Sequence, residues 1–221
     1  SAQYYDEIIS TMPITNLVRS MQSIAPNEVM KCIDTLKFRN TILVYLEIKN
    51  EKIFPDQWIY VHTQKLKTGR ITNFRNWAST INRNKKETIL CLEYWTNNNT
   101  KLWNETDKNL INLASKEIVE TGLVSNNLIE KGHVIRLPKC YPVYSLGYKE
   151  KLQPVKDFLD EINNISVIGR YGSFKYNNQD HSILMGLLAA ENIAENKKHN
   201  LWDLNTDYEY QESGELQIKK N

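Results

Sequence analysis

Glycine is scarce in this sequence, with only eight residues among 221. No Gly-x-Gly-x-x-Gly pattern and no Walker-type loop occurs, so the sequence contains no complete phosphate-binding loop of either kind. Long apolar runs are missing too, and none reaches the roughly 18–20 residues that cross a bilayer, so we expect no membrane span. The 28 basic and 26 acidic residues nearly balance. Because no block of Lys or Arg stands out, we expect no nucleic-acid partner.

Cysteine and histidine are also few and widely dispersed. No Cys-x-x-Cys pair and no spacing typical of metal ligands occurs, which excludes the common zinc motifs. No spacing suggests a Ser-His-Asp or Cys-His arrangement. We expect reduced, buried thiols in a cytoplasmic protein. The three cysteines are Cys32, Cys91 and Cys140, and the four histidines are His62, His133, His181 and His199.

The composition, 41% hydrophobic and 24% charged, is typical of a globular chain with a substantial core. Alternating, β-branched and aromatic residues predict an antiparallel sheet in the middle of the chain, with strands at residues 40–48, 57–62, 69–77 and 88–95. Residues 133–146 contain Pro138 and Pro142, so they predict an edge strand. A short strand is expected near residues 4–12, before Pro13.

Helical periodicity appears on both sides of this β-rich region. Thr106 is a good N-cap for a helix that Gly122 ends. The other predicted helices cover residues 14–24, 27–36, 149–162 and 180–193. The sequence therefore predicts an α+β fold.

One stretch, residues 167–193, has the pattern of a binding site. Gly169 and Gly172 bracket a turn after an apolar strand, and ligands of α/β proteins often lie at such strand ends. Asp180 is a good N-cap for the next helix, whose first N–H groups favour anionic or electron-rich ligand groups. Ser182, Gly186 and Ala189 form a face of small residues in that helix. The same residues are equally consistent with a capped helix that merely packs on a sheet.

Sequence resemblance favours the binding site. The segment GRYGSFKYNNQDHSILMGLLAAENI resembles the C-terminal flavin-binding segment of the FAD-dependent amine-oxidase-like superfamily. The branch that it resembles contains UDP-galactopyranose mutase and protoporphyrinogen-oxidase-like proteins. Segments DEIISTMPITNLVRSM, WIYVHTQKLKTGRITNFRNWA, CLEYW, PKCYPVYSLGYKEKL and LWDLNTDYEY resemble that family in the same order. In the family, a first βαβ unit with a glycine-rich pyrophosphate loop precedes all of these segments.

The resemblance implies roles for single residues. An arginine at the position of Arg170, next to Gly169, reaches the flavin and the substrate diphosphate in the mutases. A tyrosine at the position of Tyr176 contacts the substrate phosphates. Backbone N–H groups of Asn178, Gln179 and Asp180 are expected to face the flavin pyrimidine. The mutases usually have an acidic residue and a methionine where this chain has Asn178 and Gln179, which leaves the sugar specificity open.

Further candidates lie outside this segment. A second cluster consists of Arg70, Asn73, Arg75, Asn76 and Trp77, of which Arg70, Asn73 and Trp77 are expected to bind substrate. If the cluster faces one strand surface, either Arg70 and Phe74, or Asn73, Arg75 and Trp77, could line a pocket; the alternative is a solvated strand face with one aromatic residue in the core. Tyr141, Tyr144 and Tyr148 could form an aromatic wall beside the flavin or pack in the core. For His181, a place on the helix surface is favoured over an acid–base role.

The resemblance thus predicts a domain organisation and a function. Residues 1–13 would be a strand of the FAD domain, residues 14–146 the substrate-binding domain, residues 147–195 the FAD-contacting segment and residues 196–221 a polar tail. The chain would be the C-terminal portion of a flavoenzyme that binds FAD and a small substrate such as a nucleotide sugar or glycan intermediate. Alone, it would be inactive and self-associate. The alternative is a non-catalytic module or split-gene half that docks on a separate FAD-binding chain.

Overall fold

The computed structural model describes residues 3–78, 80–81 and 85–204, so the predicted tail lies outside the described residues from 205 onward. In chain order, the elements are β1 Ile8–Ser10, α1 Ile14–Ser20, α2 Asn27–Thr35, β2 Lys37–Ile48, β3 Trp58–Tyr60, β4 Arg70–Asn73, a 3-10 helix Phe74–Asn76, β5 Thr88–Thr96, α3 Asp107–Glu120, a 3-10 helix Asn126–Leu128, β6 Ile129–Val143, α4 Tyr148–Asp160, β7 Ile165–Val167, α5 Gly169–Gly172 and α6 Gln179–Ala194.

The chain divides into two compact units. The sheet unit is Arg39–Cys140, and the helical unit comprises the described residues up to Phe38 and from Tyr141 onward. The predicted domain boundaries differ from this division, because α1 and α2 pack with α4 in the helical unit. The functional roles assigned to the predicted domains remain predictions.

The sheet unit contains the predicted antiparallel arrangement, with strand order β3-β4-β5-β2-β6. Successive side chains of a strand point to opposite faces. In β2 and β5 the pairs Val44↔Leu92 and Leu46↔Leu90 therefore share one face, and they form a core with Ile118 of α3. Burial of these aliphatic side chains stabilises the unit by about 1.5–3 kcal/mol for each fully buried residue.

The ends of several elements agree with the sequence predictions. The Thr106 side chain accepts a hydrogen bond from the Asn109 N–H at the start of α3, and Gly122 follows the helix with φ +75°. The predicted edge strand is also confirmed, because β6 lies at one edge of the sheet. The strand predicted at residues 69–77 is wrong in its second half: β4 ends at Asn73, and a 3-10 helix begins at Phe74.

The helical unit contains a two-stranded parallel sheet made of β1 and β7. Ile8 pairs with Ile165 and Ser10 with Val167, so the carboxyl ends of two strands that are distant in sequence lie side by side. A core of fully or nearly fully buried side chains holds this unit together. They come from α1, α2, α4 and the segment between α5 and α6: Ile14, Val18, Ile33, Val155, Leu159 and Phe174.

Candidate functional site

The turn between β7 and α6 is built at the carboxyl ends of β1 and β7. Gly169 has φ +79°, a conformation that glycine adopts without the strain of a Cβ, and it begins the short helix α5. A Cβ added at Gly172 would lie 3.0 Å from the Ser10 carbonyl oxygen. The two glycines therefore let the chain reverse tightly against the end of β1, where the sequence predicted a turn.

Arg170 holds the second half of this turn. Its guanidinium donates from Nε to the Asn177 carbonyl oxygen at 2.8 Å and from Nη2 to the same oxygen. The guanidinium carbon also lies 4.9 Å from the ring centre of Tyr141 and 5.2 Å from that of Tyr176. Arg170 is half-buried, and this arrangement keeps its charge beside the two aromatic rings.

The tyrosines of the predicted aromatic wall gather around this turn. Tyr141 stacks on Tyr176 with ring centres 5.2 Å apart, and Tyr144 stacks on Tyr148 at 4.3 Å. The Tyr144 hydroxyl accepts a hydrogen bond from the Tyr176 N–H at 2.8 Å. Tyr144 is exposed, whereas Phe174, whose ring contacts those of Tyr144 and Tyr148, is buried. Tyr144 and Tyr148 therefore pack partly on the core, and the wall beside a flavin stays a prediction.

The first turn of α6 differs from the prediction in its cap. Asn178, and not Asp180, occupies the N-cap position, and no side chain caps the helix there. Asp180 instead lies in the first turn, with Oδ1 3.1 Å from Nδ1 of His181. His181 is only 2% exposed, so the prediction of a surface histidine is wrong. The N-terminus of α6 places the N–H groups of its first residues and a partial positive charge beside the turn that begins at Gly169 and Arg170, the Gly-Arg turn.

Asn177 is a site residue that the sequence reasoning missed. Its side chain is 1% exposed, and its Nδ2 lies 3.1 Å from Sδ of Met185. Its Oδ1 has no hydrogen-bond partner among the described residues, and a buried acceptor without a donor costs about 1–3 kcal/mol. The signal available in the sequence was the run of amides, in which position 177 directly follows Tyr176.

The predicted substrate residues of the sheet unit do not share one face. Arg70 is paired with Glu93 across β4 and β5, and its Nε and Nη2 donate to the two carboxylate oxygens at 2.7 and 2.9 Å. Asn73 is three residues further along β4, so it points to the opposite face. There it is 2% exposed, donates to the Phe54 carbonyl at 3.3 Å, and accepts from the Arg75 N–H at 3.2 Å.

Trp77 has a different environment again. It follows the 3-10 helix, is 55% exposed, and stacks on Trp58 of β3 with ring centres 5.2 Å apart. On the face of Arg70, the guanidinium also lies 5.8 Å from the Tyr60 ring centre. The sequence reasoning missed Glu93, Trp58 and Tyr60, because only strand pairing brings them beside the predicted residues.

The described residues contain no cluster of three or more His, Cys, Asp or Glu side chains that could hold a metal ion. The three cysteines are free thiols; Cys91 and Cys140 are buried as predicted, whereas Cys32 is only half-buried. Burial, followed by the nearby Glu93 carboxylate, raises the pKa of Cys91 to about 12. Within the same described ranges, no helix is both long enough and apolar enough for a membrane span.

Comparison with solved structures places this fold. A crystal structure of reduced UDP-galactopyranose mutase matches 89% of this chain and 42% of its own chain, with 22% identity and a TM-score of 0.76. A protein assigned as a protoporphyrinogen oxidase from Exiguobacterium sp. 255-15 matches 76% of this chain and 37% of its own, with 17% identity and a TM-score of 0.59. A protein from Pyrococcus furiosus matches 90% and 43%, with 14% identity and a TM-score of 0.54.

No protein-family model and no curated protein sequence matches the chain. The structural matches confirm the predicted resemblance at the level of the fold, which the chain shares with the matched parts of the mutase and of the protein assigned as a protoporphyrinogen oxidase. The chain spans less than half the length of these solved structures.

Proposed function

We propose that this chain is the C-terminal portion of an FAD-dependent oxidoreductase or of a flavoenzyme similar to UDP-galactopyranose mutase. The helical unit would supply the flavin-facing turn and helix, and the sheet unit would supply substrate-binding residues. A separate N-terminal portion would supply the pyrophosphate loop, since the eight glycines of this sequence form none. The match to 42% of the mutase chain at a TM-score of 0.76 supports this assignment.

The observation that carries the proposal is the turn that joins β7 to α6. It lies at the carboxyl ends of two parallel strands, where α/β proteins commonly bind ligands. The following helix has no side-chain cap, so its first N–H groups are suited to donate to ligand carbonyl oxygens. Asn177 Oδ1 is an acceptor that lacks a donor among the described residues.

These groups fit the pyrimidine edge of a flavin, which presents carbonyl oxygens on either side of an N–H group. The backbone N–H groups of Gln179 and Asp180 would donate to a carbonyl oxygen, and Asn178 would fix the start of the helix. Asn177 Oδ1 offers an acceptor for the ligand N–H. Arg170 would add positive charge at the same end of the sheet. A bound flavin would supply the electron-transfer chemistry, while these residues would bind and orient it.

The proposed substrate class is a nucleotide sugar or another glycan intermediate. In the helical unit, Tyr176 and Arg170 would contact its phosphates. In the sheet unit, the exposed Trp77–Trp58 pair offers flat apolar faces that suit a sugar or base ring. Arg70 fits this role poorly, because its charge is already paired with both carboxylate oxygens of Glu93. Asn73 also fits this role poorly, because its side-chain amide already donates to the Phe54 carbonyl oxygen and accepts from the Arg75 N–H.

The test is a flavin titration of the complete protein, comparing wild type with Arg170→Ala. Hydrogen bonds to charged groups are worth about 1.5–3 kcal/mol, which corresponds to a roughly 10- to 100-fold loss of flavin affinity or turnover. The same substitution removes the bonds to the Asn177 carbonyl, so we also expect a small drop in melting temperature. Arg19→Ala is the matched control, because Arg19 forms an exposed ion pair with Asp34.

The outcome is decided by flavin retention relative to the control. The proposal holds if Arg170→Ala loses flavin while Arg19→Ala does not, with both proteins folded in the absence of flavin. Wild-type affinity in Arg170→Ala would remove the assigned role. The isolated chain should bind FAD only weakly, and tight stoichiometric binding to it would contradict the idea that a separate portion supplies the pyrophosphate contacts.

A second candidate function is a module that docks on another protein chain. Ile8 and Ile9 of β1 and Ile183 and Leu187 of α6 are exposed, the last two by about 60%. Because β1 and β7 form a sheet of only two strands among the described residues, their outer edges retain hydrogen-bonding capacity for a further strand. A separately encoded FAD-binding half would cover such a surface.

Light scattering across a concentration series tests this candidate. We expect dimers or larger species for the isolated chain, and Leu187→Glu should shift the distribution towards monomer by placing a charge on the surface. Ile24→Glu is the control, because Ile24 is 65% exposed and lies outside β1 and α6. A wild-type monomer at all concentrations, or an equal response to both substitutions, would argue against docking through this surface.

A further inference from the structure

The segment that leads into α6 has an unusual backbone. Phe174 has φ +51° although it is not glycine, and a non-glycine residue keeps this strained conformation only where its surroundings hold it. Its side chain is 1% exposed and makes an edge contact with Phe38 at 5.0 Å between ring centres. Burial thus anchors the beginning of the segment, whereas Tyr176 near its end is 52% exposed and needs other contacts.

Two side chains hold the backbone around Tyr176 from different elements. Arg170 of α5 donates to the carbonyl oxygen of Asn177. Tyr144, which lies between β6 and α4, accepts a hydrogen bond from the N–H of Tyr176 at 2.8 Å. The peptide groups on both sides of Tyr176 and Asn177 are therefore fixed immediately before the N-cap of α6.

Tyr144 is itself well placed to act as a fixed point. Its ring lies parallel to the ring of Tyr148, with an interplanar angle of 5° and 4.3 Å between centres. Tyr148 is the first residue of α4, and both rings also contact Phe174 at 6.2–6.3 Å. The start of α4 thus determines where the Tyr144 hydroxyl lies.

We infer that Tyr144 is a positioning residue, whose hydroxyl fixes the Tyr176 amide and thereby the path by which Asn177 and Asn178 enter α6. The bond joins the segment before α4 to the segment before α6, so Tyr144 would act through Tyr176. For flavin binding, this inference rests on the proposed function, because the groups that it orders are those proposed to face the flavin. Tyr144 would then reduce the ordering that flavin binding requires.

The experiment is amide hydrogen exchange in the flavin-free chain, resolved at Tyr176, for Tyr144→Phe and for wild type. The substitution keeps the stacked ring and removes only the hydroxyl. Loss of one hydrogen bond of ordinary strength should speed exchange at the Tyr176 amide by about 2- to 12-fold. Tyr148→Phe is the matched control, because it removes a hydroxyl from the same stack and leaves the bond between Tyr144 and Tyr176 in place.

Faster exchange confined to Tyr176 and its neighbours in Tyr144→Phe alone supports the inference. Unchanged exchange there, or equally faster exchange throughout the helical unit, overturns it. Flavin titration of the complete protein then separates the two proposals. If exchange changes as expected but Tyr144→Phe retains wild-type flavin affinity, the local positioning stands and its link to flavin binding fails. If Arg170→Ala also retains wild-type affinity, the proposed flavin site fails as well.

Discussion

Replacing Glu117 with glutamine should destabilise the sheet unit more than its modest change in shape suggests. Glu117 lies on α3 and is 4% exposed. Its carboxylate accepts hydrogen bonds from the Lys67 N–H at 2.7 Å, the Thr68 N–H at 3.1 Å and the Tyr94 hydroxyl at 3.0 Å. It therefore fixes the loop that precedes Arg70 to the core of the same unit.

The magnitude follows from the three donors. A carboxylate can accept all of them, whereas a glutamine amide offers one oxygen and presents an NH₂ donor to a group that also donates. At least one charge-assisted bond is lost and one buried N–H remains without an acceptor, so we expect a loss of about 2–3 kcal/mol in the free energy of unfolding. Glu117→Ala leaves all three donors without this acceptor and should cost about 4 kcal/mol, reduced where water enters.

Urea denaturation followed by tryptophan fluorescence is the suitable assay. Four of the five tryptophans lie in the sheet unit, namely Trp58, Trp77, Trp95 and Trp103. Glu120→Gln is the control, because Glu120 lies on the same helix, where it forms an exposed ion pair with Lys116, one turn earlier, at 3.7 Å. That pair should contribute less than about 1 kcal/mol. Equal midpoints for Glu117→Gln and Glu120→Gln would refute the reasoning.

Three further outcomes are expected. Gly69→Ala should lower stability by about 1–3 kcal/mol in the same urea assay, because a Cβ there would lie 2.1 Å from the Trp95 ring; an unchanged midpoint would contradict this packing. Gly186→Ala should stabilise the flavin-free chain by about 0.5–1 kcal/mol and so raise its melting temperature, because a Cβ at this position of α6 meets nothing within 4 Å. A lower melting temperature would contradict an open helix face. Above pH 9, stability should fall by up to about 1.4 kcal/mol per pH unit towards pH 12, because burial raises the pKa of Cys91 from 9.0 to about 12 and the unfolded chain releases this proton first. Urea midpoints measured from pH 8 to 11 should therefore decline less steeply in Cys91→Ala than in wild type.

The local patterns of the sequence predicted most of the individual elements. Thr106 and Gly122 marked the ends of α3, and the alternation of residues 40–48 and 88–95 predicted β2 and β5. These predictions succeeded because capping, helical periodicity and strand alternation depend on residues close together in the chain. The helix containing Pro154 was also predicted, because the apolar spacing continues on both sides of the proline. In the structure Pro154 lies inside α4.

The candidate site was only partly accessible in this way. The sequence located the Gly-Arg turn and, through family resemblance, its neighbours Tyr176 and Asn178. It misplaced the cap of α6 at Asp180, because Asn and Asp are similarly good caps and their choice depends on where the preceding loop enters the helix. That entry point is fixed by Tyr144, which is 34 residues before Asn178 in the chain.

The tertiary structure decided which distant residues meet. The sequence indicated that β1 and β7 are strands, but only the fold pairs Ile8 with Ile165 and places their carboxyl ends together. Strand register likewise placed Arg70 opposite Glu93 and left Asn73 on the other face. Local periodicity describes which side chains share a face within one element, whereas contacts between elements depend on pairing and burial across the whole chain. For that reason the sequence by itself determined the elements and the turn, and the tertiary structure determined the partners of Arg70, Tyr144 and Arg170.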